Sequence, residues 1–306
     1  MKRKKFIGIV LAAVITAASL TGCGNAPQTA SAAEQSQAAG TEAVAENGQT
    51  AGSEAETAEN QPDGGNTETA GDDSLAKVQS AGVLKIGTEG TYAPYSYHEE
   101  DGSLVGFDVE IAELIAEKIG VKAEFVETKW DAMIAGLDAK RFDIIANQVG
   151  ISEERLEKYD FSEPYTYIHG ALIVNKDNED ITSFEDIAGK KSAQSLMSNW
   201  GQTAEEYGAE LVGVDGFEQA IELIASGRAD LTINSEVALY DYLKQKPDAP
   251  IKKVALSDDP SIVGIPVRKG DTSLYEAINK AVVELREEGK LTELSLKYFG
   301  ADITQE

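Results

Sequence analysis

The chain has one thiol, Cys23, and its surroundings indicate which chemistry that thiol serves. Lys2, Arg3, Lys4 and Lys5 precede an uncharged, apolar run over residues 6–20, and Leu20-Thr21-Gly22-Cys23 closes it. A basic start, an apolar stretch and small residues at a cleavage point form a secretory signal. The run is shorter than the ~20 residues a membrane span needs. Cys23 sits where a lipoprotein signal peptidase would cut. The expected mature chain therefore begins at Cys23, carries acyl chains there and works outside the cytoplasmic membrane. With Cys23 acylated, no thiol remains for a disulfide, a thiolate nucleophile or a cysteine metal site. His98 and His169 are too few and too scattered for a zinc cluster.

The other chemistry-bearing stretches hold groups suited to binding. Residues 87–95 (Gly-Thr-Glu-Gly-Thr-Tyr-Ala-Pro-Tyr) follow a short apolar run. Gly106-Phe107-Asp108 reads as a tight turn into a helix. Residues 143–155 contain Asn147-Gln148-Val149-Gly150 and end on Arg155, and Asp160-Phe161-Ser162-Glu163-Pro164-Tyr165 comes soon after.

The elements that must position these groups alternate in type. Strands are expected at residues 83–86, 122–126, 143–146, 171–174, near 193, at 231–233 and at 261–267. Helices are expected at 108–119, 131–137, 184–187, 203–207, 218–225, 272–288 and 291–298. At 108–119 the apolar residues Ile111, Leu114, Ile115 and Ile119 form a helical stripe closed by Gly120. Strands alternating with helices imply an α/β fold with mostly parallel sheets. In such a sheet a ligand sits at the carboxyl ends of the strands, which is where the 87–95 loop falls.

Residues 23–74 differ from the rest. They are rich in Ala, Glu, Gln, Thr, Gly, Ser and Asn and contain no aromatic residue. That composition buries too little apolar surface to offset chain entropy, so a disordered acidic tether is expected. A flexible chain of ~50 residues has an r.m.s. span of ~40 Å. The full chain of 306 residues has 53 acids against 27 Lys plus Arg, a formal charge of -26. Such a surface repels nucleic acid.

In order and spacing, the segments at 87–95, 106–108, 143–155 and 160–165 resemble those of the extracellular amino-acid-binding proteins that serve ABC importers, solute-binding family 3. The resemblance covers residues 83–300. Trp130-Asp131, Arg141-Phe142-Asp143, Asn147-Gln148-Val149, Lys158-Tyr159-Asp160-Phe161-Ser162 and Lys297-Tyr298-Phe299-Gly300 look most like the cystine-binding branch. The resemblance implies an α/β, two-lobed periplasmic-binding-protein-like fold (type II) whose lobes are joined by two crossing strands, here near residues 171–174 and 261–267. Lobe 1 would be residues 75–171 plus 265–306, and lobe 2 residues 172–264. It also implies a monomer without cofactor or metal, an amino-acid ligand and a membrane permease as partner.

The resemblance assigns roles residue by residue. Arg155 matches the arginine that grips the ligand α-carboxylate, and a guanidinium fork suits a planar carboxylate. Tyr92 and Trp130 match positions that pack on the ligand's apolar part. Glu89 matches a position that faces the ligand side chain. Gly150 stands where Ser or Thr is usual, so it keeps a backbone N–H and lacks the hydroxyl. Ser198 matches a helix-start Thr whose donors favour a carboxylate. Asn147 and Gln148 would offer polar contacts. Ser235 replaces the Asp that balances the ligand ammonium. A buried ammonium without a counter-charge is costly, so Glu89 or Glu236 must supply the charge, or the ligand is not an ordinary α-amino acid. Two other readings share the scaffold. One is a cyclohexadienyl-dehydratase-like enzyme with Glu89 or Glu236 as general acid; the other is a receptor that only senses.

Overall fold

The computed structural model describes residues 72–306. Cys23, the signal segment and the tether up to residue 71 lie outside the described residues. The last residues assigned to the tether are docked. Ser74 starts a helix, Ser74–Ala81, and its Oγ lies 3.0 Å from Ser273 Oγ at the head of the helix Thr272–Glu287. The Asp72 carboxylate accepts the Ser273 N–H.

Two five-stranded sheets form the two lobes. The first has the order Lys122–Glu127, Val83–Thr88, Ile144–Ile145, Pro266–Arg268, Tyr159–Phe161. Val83–Thr88 runs parallel to both of its neighbours, and Pro266–Arg268 runs antiparallel to its own. The second sheet has the order Glu210–Gly213, Lys191–Gln194, Leu231–Ser235, Gly170–Asn175, Ile251–Leu256. Lys191–Gln194 is parallel to its neighbours, whereas Gly170–Asn175 is antiparallel to both of its own.

The lobes are joined where Thr166–Ile168 pairs antiparallel with Ser261–Val263, Ile168 opposite Ser261. This corrects the expected position of one crossing. Residues 171–174 lie inside the second sheet, whose pairing already starts at Gly170 opposite Ser235. The expected strand at 261–267 is two strands, Ser261–Val263 and Pro266–Arg268, interrupted around Gly264. A Cβ on Gly264 would stand 3.0 Å from the Ser162 carbonyl oxygen, so the chain passes close to its neighbour there.

The apolar stripe read from the sequence packs as expected. Phe107–Lys118 is a helix that buries Phe107, Val109, Ile111, Ala112, Ile115 and Ala116. Ile111 and Ile115 are fully buried, each contributing about 1.5–3 kcal/mol. Asp108 and Glu110 in its first turn and Lys118 in its last complement the helix dipole. Gly106 is required at its start: its φ is 135°, and a Cβ would lie 2.2 Å from the Tyr95 carbonyl oxygen. Among the described residues, no helix is long and apolar enough to cross a membrane.

Candidate functional site

A cavity lies between the lobes. The first lobe lines it with Glu89, Thr91, Tyr92, Trp130, Asn147 and Gln148. The second lines it with Ser198, Asn199, Trp200, Phe217, Thr232 and Asn234, among others. Four aromatic side chains therefore surround a site whose acidic member is Glu89.

Glu89 directly follows the Val83–Thr88 strand, and its neighbours hold it. Asn147 Nδ2 donates to Glu89 Oε2 at 2.7 Å, and the Glu89 N–H donates to Asn147 Oδ1 at 2.8 Å. Burial pushes its carboxyl up to about 7, against the opposing effect of the Asn147 amide and the Trp130 backbone N–H. Asn147 is 1 % exposed and also accepts from Thr88 Oγ1 and Ser96 Oγ. It positions the acid.

Gln148 takes a left-handed backbone, φ 53°, and is locked there. Its N–H and Nε2 donate to the two oxygens of Asp108 at 2.8 and 2.7 Å, and its Oε1 accepts from Thr166 Oγ1. Tyr165 OH donates to the same carboxylate at 3.1 Å. Asp108 is fully buried, and burial raises its carboxyl to about 7 despite these donors.

Trp130 is 7 % exposed and packs with Met133, Leu137 and Phe142. The Arg155 guanidinium lies 5.8 Å from the centre of its ring, within cation–π range. Contrary to expectation, neither Arg155 nor Gly150 lines the cavity; the Arg155 side chain is instead used to bridge the lobes. Nη1 donates to the Gly150 carbonyl at 2.8 Å and Nη2 to the Met197 carbonyl, on the second lobe, at 3.2 Å. The ion pairs among the described residues do not include Arg155. Gly150 pairs with Val263 beside the crossing strands, and a Cβ there would press on Ser261 Oγ at 3.0 Å.

The second lobe uses its expected site residues differently. Ser198 lines the cavity, but its hydroxyl caps the helix Asn199–Glu206. It accepts from Gly201 N at 2.9 Å and donates to the Ser195 carbonyl at 2.7 Å. Ser235 lies outside the cavity lining, contrary to expectation. Along the strand Leu231–Ser235, Thr232 and Asn234 face the cavity, so alternation turns Ser235 to the other face. There its Oγ meets Tyr95 OH at 2.7 Å and caps the helix Glu236–Gln245. Glu236 is also outside the lining, paired with Lys253 and with Tyr240 OH. Asn234 takes the place expected of Ser235, accepting from Tyr92 OH at 2.7 Å. Strand alternation was the signal for Asn234. Trp200, the second residue of the capped helix Asn199–Glu206, carried none.

More contacts cross between the lobes. Lys129 Nζ meets Asp215 at 2.6 Å, and the Asp131 carboxylate accepts the Met197 N–H at 3.0 Å. No group of three or more His, Cys, Asp or Glu able to hold a metal occurs among the described residues.

Comparison with known proteins fits this architecture. Residues 84–301 match the model of the bacterial extracellular solute-binding proteins, family 3, and the chain belongs to that family. It is a solute-binding protein by family. A probable amino-acid ABC transporter-binding protein of Haemophilus influenzae is 47% identical over 229 residues, 75% of this chain and 89% of that protein. An ancestral arginine-binding protein bound to arginine superposes with a TM-score of 0.67 at 37% identity, covering 72% of this chain and 99% of that one. The L-cystine solute receptor of Neisseria gonorrhoeae, unliganded and open, reaches a TM-score of only 0.51 at 46% identity, covering 76% and 99%. In the present structure the two lobes touch across the cleft through the contacts above.

Proposed function

We propose that this protein is the extracytoplasmic receptor of an amino-acid ABC importer, anchored by acyl chains on Cys23, with L-cystine as its preferred ligand. The carrying observation is a division of charge along the first lobe's side of the cleft. Glu89 lines the cavity half-buried, and the Arg155 guanidinium lies outside the lining, against the ring of the lining residue Trp130, with no carboxylate partner among the described ion pairs. That pattern is complementary to a zwitterion. Relatives that bind amino acids, and the cystine receptor at 46% identity, support the class and the preference.

In this reading one edge of the guanidinium stays on the Gly150 carbonyl. The ligand carboxylate replaces the longer contact to Met197 O. The ligand ammonium faces Glu89, while Tyr92, Trp130, Trp200 and Phe217 exclude water and strengthen both interactions. Because the ligand touches both lobes, it favours the closed state by its differential affinity. Calorimetric titration of the purified protein with a panel of amino acids tests this. Heat is expected with L-cystine, and its absence with every polar amino acid at millimolar concentration would refute the reading. Anchorage is tested separately: Cys23→Ser should move the protein from the membrane fraction to the medium or periplasm.

A further inference from the structure

Gly170 occupies a strand position where the backbone does not call for glycine. It opens the strand Gly170–Asn175 and is buried, and its φ lies outside the left-handed region. Glycine inside a sheet weakens it and marks the close approach of another group. Here that group is the Trp200 ring. A Cβ on Gly170 would stand 2.6 Å from Trp200 Cζ3 and 3.1 Å from Cε3, with Ile233 Cγ2 next at 3.2 Å.

The Gly170 backbone is held from both sides. Its N–H donates to Ser257 Oγ at 2.9 Å, and its carbonyl accepts the Ser257 N–H at 2.8 Å. On its other edge it pairs with Ser235, whose hydroxyl caps the helix Glu236–Gln245. An added methyl group must therefore be taken up mainly by moving the ring. The first lobe seats a ring in the same way, since a Cβ on Gly87 or on Gly136 would stand 2.6 Å from the Phe142 ring. Phe142 is fully buried and outside the cavity lining, so that seat serves the core. Trp200 is half-buried and lines the cavity, so the seat at Gly170 serves the site.

We propose that Gly170 is a positioning residue for ligand binding, because its missing side chain is the seat that sets the Trp200 ring in the second-lobe wall of the cavity. This rests on the amino-acid-receptor reading above and adds to it what fixes that wall. Gly170 lies outside the lining and acts through the ring. It stands two residues beyond the crossing strand Thr166–Ile168, so the wall is referenced to the point where the chain enters the second lobe.

A double-mutant cycle read by calorimetry, with L-cystine and L-arginine as probes, tests this. Gly170→Ala should weaken binding about 10-fold, as expected for a methyl group forced into a packed site. In a Trp200→Ala background the same methyl group meets no ring, and Gly170→Ala should change affinity by less than about 2-fold. A methyl group that merely disturbed the sheet would weaken both backgrounds alike. Equal losses in the two backgrounds, or Gly170→Ala binding as tightly as wild type, would overturn the inference and leave the receptor reading intact. The chain has only two tryptophans, so a ligand-free readout accompanies the cycle. In protein labelled with 5-fluorotryptophan, with signals assigned through Trp200→Ala, Gly170→Ala should move the Trp200 fluorine signal and leave that of Trp130 in place. An unmoved Trp200 signal would also overturn the inference. Should Gly170→Ala fail to fold, Trp200→Ala should rescue it, and failure of the double variant as well would place the clash elsewhere and refute the seat. If wild type binds neither probe nor any other amino acid of the panel, the receptor reading falls and takes the role of Gly170 in binding with it, whatever the fluorine signal does.

Discussion

On the first lobe's side of the cleft, Glu89, Gln148 and Arg155 are each held by a buried neighbour. On the second lobe's side, the Ser198 hydroxyl caps a helix and the Thr232 hydroxyl donates to the Ala193 carbonyl, and what faces the ligand is mainly ring and amide. Glu89 rests on Asn147, Gln148 on Asp108 and Thr166, and one edge of Arg155 on Gly150. Opposite them, Ser198 and Ser235 cap helices, and Trp200, Phe217 and Asn234 supply the wall. Leu196 and Met197, at the rim, are half or more exposed. The contrast indicates that charge is read on a preorganised face, where little ordering remains to be done on binding. The second lobe then acts chiefly as a lid.

The comparison breaks most visibly if Arg155 is dispensable. Arg155→Ala should weaken amino-acid binding roughly 100-fold by calorimetry, the upper range for hydrogen bonds to a charged group. A loss of less than about 3-fold would move charge recognition off the first lobe.

Glu89 should give the next largest effect, and a pH signature with it. Its carboxyl titrates near 7, so a ligand ammonium meets a carboxylate only above that pH. Affinity should rise as pH increases from 6 to 8 and then level off. Glu89→Gln should bind about 10-fold more weakly at pH 8 and lose the slope.

Stability should run the opposite way. Glu89 and Asp108 have folded values near 7, raised by burial from 4.5 and 3.8. Between about pH 4 and 7 the folded chain therefore holds protons that the unfolded chain has released. These two groups make stability fall as pH rises through that window and then flatten above it. Differential scanning calorimetry of the unliganded protein should show this trend, and Asp108→Asn should reduce it.

The smallest effect is expected at the lid. The Lys129–Asp215 pair is exposed and crosses between lobes, so Lys129→Ala should reduce affinity only about 2- to 5-fold. The same titration repeated at high salt should erase the difference, since exposed pairs are screened.

These contrasts also explain what the sequence made legible. Strands and helices that bury a regular stripe, such as Val83–Thr88 and Phe107–Lys118, were readable because their apolar period matches their geometry. The Ser74–Ala81 helix was not, because its residues continue the polar composition before it and its anchor, Ser273, is remote in sequence. The helix Glu236–Gln245 was missed because it buries only Ala238 and Leu239. On the first lobe, Glu89, Tyr92, Trp130, Asn147 and Gln148 all reach the cavity. On the second, the reading fell on Ser235 where Asn234 lines the wall, a one-residue difference that strand alternation turns into opposite faces. Pairings across chain-distant segments, such as Tyr92 with Asn234, leave no local pattern to read.

A crystal structure of the protein with L-cystine bears most directly on the central claim. The account expects the ligand between the lobes, its carboxylate within hydrogen-bond distance of the Arg155 guanidinium and its ammonium on Glu89. A ligand seated with its acid group away from Arg155, or bound outside this cleft, would contradict it.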